Sequence, residues 1–284
     1  MRTSAWDSLG REASRVHTLL TIPFSHYNEK ARWALDRFGI AYRERKYMPM
    51  LHVPAVIVAT RFGKHGGSDK VSSRFSTPLL VTDTGERLCD SHDIVRWADE
   101  RFATPETTLF PTPQAEVIER ELGEGLGPHG RRIAYGLGMS DPSKFAELAR
   151  HNVGWLQWRT TQIFGPLMIG VVSRALRVDP PRVEKSIDAV RKVFDDIGRR
   201  LEGRRYLVGD RFSVADLAFA CLAAAVLVPT RSEGFGAALP ERSQLTPRAA
   251  TFADELRDTE AGQYAMRLFR DDRSAVVRPS ASAG

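Results

Sequence analysis

Residues 17–47 read HTLLTIPFSHYNEKARWALDRFGIAYRERKY, and three changes of pattern within them decide the fold. His17–Ile22 is a short apolar-centred run, which predicts a buried strand. Pro23-Phe24-Ser25 breaks it. From His26 to Phe38 the residues Ala31, Ala34, Leu35 and Phe38 recur at three- and four-residue spacing, which predicts a helix. Gly39 stands where a left-handed cap would end that helix. Ala41–Tyr47 alternates and predicts a second strand. Two strands joined through a helix by short connections favour parallel pairing.

Downstream, Val53–Phe62 predicts a short helix and the KHGGSDK run that follows a loop. Residues 78–89, PLLVTDTGERLC, predict a hairpin with a tight turn at Asp83-Thr84-Gly85. Asp90-Ser91 then opens a helix that runs to about Phe102. The order over 17–102 is therefore β-α-β-(α)-β-β-α. A Thr/Pro-rich linker, ATPETTLFPTP, covers 103–113. Beyond it the pattern is helical throughout, with blocks at 114–135, 143–176, 183–203, 213–228 and 248–270, the second long enough for two helices. This divides the chain into a mixed domain (17–102), the linker, an all-helical domain (114–272), and flexible tails at 1–16 and 273–284.

The composition excludes several functions. With 42% hydrophobic and 27% charged residues, the 284-residue chain is neither disordered nor fibrous. Its 41 Lys+Arg exceed 35 Asp+Glu by six, without a basic block, so nucleic-acid binding has no support. Cys89 and Cys221 are far apart, in apolar surroundings, without the spacing of a disulfide framework or a zinc site, so no metal is expected. The first residues are polar and contain Asp7 and Glu12, unlike a signal peptide. The longest apolar run, Leu217–Val228, would span about 18 Å as a helix, too short for a bilayer. A cytoplasmic protein that does not enter a membrane is the expectation.

Four local features carry chemistry, and each has a plain structural reading beside it. Ser25 stands at a strand-to-helix junction, where it either caps the helix or helps its free amides hold an anion or thiolate. Thr77-Pro78 opens a strand; it is either edge punctuation or a cis peptide that frees the Thr77 backbone to pair with a peptide-like ligand. Asp90 and Ser91 either cap the next helix or hold the ammonium and carboxylate of a ligand. Ser213-x-x-Asp216 has the form of a capping box ahead of a helix that is apolar almost all round, and is structural.

In this order, SHYNEKARWALDRFGI, the TP before a strand, the DS before a helix and the SVAD box resemble the glutathione transferase superfamily over about His17 to Phe269. The resemblance implies an α+β chain: a thioredoxin-like N-terminal domain with a mixed sheet and flanking helices, then an all-α domain. It implies that Thr77-Pro78 is cis and that Thr77, Pro78, Asp90 and Ser91 bind glutathione, the co-substrate. It places Ser25 at the catalytic position of serine- and cysteine-type members, where a hydroxyl donates to the glutathione thiolate. A free thiol, with a pKa of about 8.5, is only a few per cent ionised at neutral pH. A hydroxyl and a helix terminus lower that value by about one or two units. Thr21 occupies the region where tyrosine-type members keep their tyrosine, and Ser25-His26-Tyr27-Asn28 lacks the Cys-x-x-Cys of redox relatives.

The chain departs from the family in reading SSRFSTP before the proline, so the glycyl-carboxylate contacts have no direct counterpart. His52, Arg61, Lys64, Lys70 and Arg74 either replace them or form a solvated loop. A hydrophobic electrophile would bind between the domains, against Tyr135, Met139, Trp155, Trp158 or Phe164, with Arg131 and Arg132 guiding an anionic group or simply solvated and His129 a candidate base. The leading expectation is a homodimeric glutathione transferase. Ether-cleaving, dehalogenating or isomerising chemistry and a non-catalytic glutathione-binding protein are the alternatives.

Overall fold

The computed structural model describes residues 16–60 and 75–273. A four-stranded sheet has the order β2-β1-β3-β4, with β1 His17–Thr21, β2 Tyr42–Lys46, β3 Leu79–Val81 and β4 Arg87–Leu88. β1 pairs parallel with β2 through α1 (His26–Arg37), in the register His17 to Tyr42. β3 runs antiparallel to β1 and forms a hairpin with β4. Gly39 has φ +65°, and the Ile40 amide donates to the Leu35 carbonyl at 2.9 Å, closing α1 as its glycine foretold.

Alternation along the strands makes three layers, because successive side chains leave the sheet on opposite faces. Leu19 and its partner Leu80 pack on α1 and on α3 (Ser91–Phe102). Leu20 and its partner Leu79 pack on Val56 of α2 (His52–Ala59).

The remaining elements are helical. α4 (Pro113–Ile133) runs into a π-turn at Ala134–Gly138, and α5 (Pro142–Asn152) and α6 (Trp155–Ala175) are separated at Gly154. α7 (Pro180–Leu201) and α8 (Val214–Leu227) follow. The last predicted block is two helices, α9 (Pro247–Arg257) and α10 (Glu260–Arg267), because Thr259 caps a new start by accepting from the Gly262 amide.

α8 is buried over nearly its whole length and forms the centre of the largest apolar cluster. Asp216 holds its start as the capping box predicts, accepting from the Ser213 amide at 2.7 Å and its hydroxyl at 2.8 Å. It also accepts from the Leu207 amide at 2.8 Å and from the Tyr264 hydroxyl. α1 lies between sheet and helices: Ala31 and Leu35 face the sheet cluster, while Trp33 and Ala34 join the cluster around α8.

The helical structure continues through a π-turn to Arg273, a residue the sequence assigned to a flexible tail. Arg273 is buried and donates to Glu29 at 3.0 Å and Asp36 at 2.7 Å, both on α1. These two ion pairs with buried carboxylates hold Arg273 against α1 and account for this correction.

Candidate functional site

Ser25 is the N-cap of α1 with extended backbone angles (φ −78°, ψ 127°), yet its side chain makes no capping hydrogen bond. The helix start is secured instead by its carbonyl, which accepts from the Asn28 and Glu29 amides at 3.0 Å each. The hydroxyl is thus uncommitted to the helix. It lines an apolar cavity of about 370 Å³ between the sheet end and the helices, together with Phe24, Tyr135 and Met139.

A second cavity, of about 660 Å³, adjoins it and is lined by Pro78, Asp90, Ser91 and Cys89. Tyr27, Ser76, Thr77 and Arg131 line both, so the two spaces meet there. The Thr77–Pro78 peptide is cis. Asn28, fully buried on the first turn of α1, donates from Nδ2 to the Thr77 hydroxyl at 3.3 Å. Asp90 is the N-cap of α3, accepting from the His92 amide at 2.7 Å, and Ser91 beside it is buried. On the wall of the larger cavity, Lys30 pairs with Glu119, whose other oxygen meets His92 Nδ1 at 2.9 Å. Burial pushes the Glu119 carboxyl up, but Lys30 and His92 outweigh it and hold it down at about 2. Burial, Asp93 and Asp90 push the Cys89 thiol up, so it is not a ready thiolate.

His26 is buried, its Nε2 has no hydrogen-bond partner, and it lines the apolar cavity. Burial and then Arg131 lower its pKa to about 3, so the ring is neutral. Burial raises the Tyr27 phenol to about 12. His52 also lines the apolar cavity, and burial lowers its pKa.

The expected substrate residues divide. Tyr135 and Met139 line the apolar cavity. Trp155 and Trp158 do not: Trp155 is 73% exposed, and Trp158 packs beside the cluster of Phe24, Phe145 and Met168. Phe164 is exposed as well. α6 reaches the cavity only towards its C-terminal end, through Val171, Val172 and Ala175, so the aromatic residues of its first half do not line it. His129 is structural, with Nδ1 at 3.0 Å from the Ser186 hydroxyl. Arg61, Lys64, Lys70 and Arg74 lie outside the described residues.

Two family descriptions match the chain: "Glutathione S-transferase, N-terminal domain" over residues 24–101 and "Glutathione S-transferase, C-terminal domain" over residues 161–248. The chain belongs to the glutathione S-transferase superfamily. No curated protein matches it. A glutathione S-transferase of Ceriporiopsis subvermispora, solved in complex with glutathione, is similar at 15% identity and a TM-score of 0.59, covering 94% of this chain and 100% of that one. A glutathione transferase of Phanerochaete chrysosporium is similar at 14% identity and a TM-score of 0.57, covering 94% and 99%. These likenesses show the shared fold, a thioredoxin-like domain with a mixed sheet followed by a helical domain.

In this glutathione S-transferase superfamily member the sequence pointed to the strand and helix ends that surround the two cavities. It missed Asn28 behind Thr77 and the neutral His26. Asn28 carried a usable signal, since a side-chain amide on the first turn of a helix beside Ser25 is placed to reach across that junction. His26 carried none, because a histidine's burial is not legible from its neighbours. Among the described residues no cluster of side chains is arranged to hold a metal ion, and no helix is long and apolar enough to cross a membrane.

Proposed function

We propose that this protein is a glutathione transferase that activates the glutathione thiol for attack on a hydrophobic electrophile. The observation that carries the reading is the Ser25 hydroxyl, free of capping duty at a helix N-terminus and lining an apolar cavity that adjoins a more polar one. In this reading the tripeptide lies in the larger cavity. Its backbone pairs with Thr77, and its γ-glutamyl end meets Asp90 and Ser91. Its sulfur passes Thr77 and Tyr27 to reach Ser25. The hydroxyl and the α1 amides stabilise negative charge on sulfur. The electrophile occupies the apolar cavity against Tyr135 and Met139, so proximity adds to thiolate activation. Ser25 donates a hydrogen bond and does not itself attack.

The test is turnover of glutathione with a chloronitrobenzene. Ser25→Ala is expected to lower kcat/KM about 10- to 100-fold, the worth of one hydrogen bond to a charged atom. An unchanged rate would count against the assignment. The same reading includes a homodimer working in the cytoplasm, and sedimentation of the purified protein checks the dimer.

A further inference from the structure

Arg131 and Arg132 are adjacent at the end of α4, and the structure gives them different work. Arg132 is held in place: its Nε donates to the Leu176 carbonyl at 3.2 Å and its Nη1 to the Ser186 hydroxyl at 3.0 Å. Arg131 has no carboxylate within ion-pair distance among the described residues, and its Nε is buried without a hydrogen-bond partner. The other cations buried near α1 are all matched: Lys30 with Glu119, Arg32 with Glu29 and Glu44, and Arg273 with Glu29 and Asp36. A cation left partly out of water without a partner is costly, and a ligand anion removes that cost.

The surroundings of Arg131 do not neutralise it. No Asp or Glu lines the apolar cavity among the described residues. The other titratable groups lining that cavity are His26, Tyr27, His52 and Tyr135, and the charge of Arg131 acts on His26 and on both phenols. His26 is neutral near pH 7, and burial keeps both phenols protonated. Across the junction, the carboxylates lining the larger cavity are Asp90, Glu119 and Glu124, of which Glu119 is already paired with Lys30. The Arg131 guanidinium also lies 5.8 Å from the Tyr27 ring centroid. A positive charge with no carboxylate in ion-pair distance therefore stands where the two cavities meet, on the wall of a largely apolar space of a size that suits a small aromatic molecule.

We propose that the second substrate is an apolar molecule bearing a carboxylate or similar anionic group, with the anion on Arg131 and the apolar body in the 370 Å³ cavity. The assignment as second substrate rests on the transferase reading; the binding preference does not. Selectivity arises because a neutral isostere leaves the guanidinium unpaired.

The test is calorimetric binding of naphthalene-2-carboxylate and its neutral methyl ester, without glutathione, to the wild type, Arg131→Gln and Arg131→Lys. The wild type is expected to favour the carboxylate by about tenfold or more. Arg131→Gln is expected to lose that preference and Arg131→Lys to keep most of it, with melting curves confirming that each variant is folded. Equal affinity of the wild type for acid and ester would overturn the proposal. So would an Arg131→Gln variant that keeps the preference but binds glutathione more weakly, since Arg131 would then serve a carboxylate of the tripeptide. A carboxylate preference that depends on Arg131 in a protein that fails to bind glutathione would support the anion site while removing the transferase reading.

Discussion

His26 stays neutral far below the usual histidine range, because burial and the nearby Arg131 both oppose a second positive charge. Between its ordinary value of 6.5 and the folded value of about 3, the unfolded chain takes up a proton that the native state refuses. Stability therefore falls as pH drops through that window, and His26 contributes nothing further below it. From pH 7 to 5 its share is about 2 kcal/mol, and Glu119, which titrates far lower in the folded state, adds little there. Urea unfolding of His26→Gln at the two pH values should show a loss smaller than the wild type's by about that amount; equal losses would refute the assignment. Ser25 and Asp90 show what one sequence can say at this scale. Both are short polar residues at a strand-to-helix junction and read as caps or as ligand groups. Asp90 proves to be a cap that also lines a cavity, whereas the Ser25 side chain makes no capping bond. Only the side-chain direction separates them, and no neighbouring residue encodes it.

The glycines of α4 set how closely that helix approaches α1 and α8. A Cβ on Gly127 would fall 2.1 Å from the Tyr27 hydroxyl, and one on Gly130 would fall 3.2 Å from the Ala225 Cβ. Gly127→Ala must therefore displace Tyr27, which lines both cavities. A stability loss of about 1–2 kcal/mol, with weaker binding of any ligand that spans the two cavities, is expected from unfolding and titration experiments. Wild-type stability together with unchanged binding would show that Tyr27 can swing away freely. The sequence ELGEGLGPHGRR displayed these glycines, but a glycine-rich helix reads as a weak helix until its neighbour is known. α6 misled for a related reason. Its apolar residues lie all around the helix, so periodicity gives no inward face, and Trp155 looked as well suited to a pocket as Tyr135.

At the scale of the whole molecule, α1 joins the two parts through apolar and charged contacts together. Trp33 packs on Phe212 and Phe269, and Arg273 closes over Glu29 and Asp36. Removing that cation takes one ion-pair partner from each of two buried carboxylates, while Glu29 retains Arg32 and Asp36 retains the Tyr42 hydroxyl at 3.0 Å. Arg273→Met is expected to cost about 3 kcal/mol in urea unfolding, and a change below about 0.5 kcal/mol would show the pair to be dispensable. The order of elements was legible because each strand, helix and turn carries its own local pattern, from Gly39 to the Ser213–Asp216 box. Arg273 was not, because its partners lie some 240 positions away and nothing local marks a distant ion pair. The central claim is that the α1 terminus and the Ser25 hydroxyl stabilise a bound thiolate. Its most direct test is calorimetric titration of the purified protein with reduced glutathione while thiolate absorbance is followed at neutral pH. Saturable binding with a thiolate signal in the wild type, and binding without that signal in Ser25→Ala, is the predicted result. Absence of binding, or a thiolate signal that survives Ser25→Ala, would contradict it.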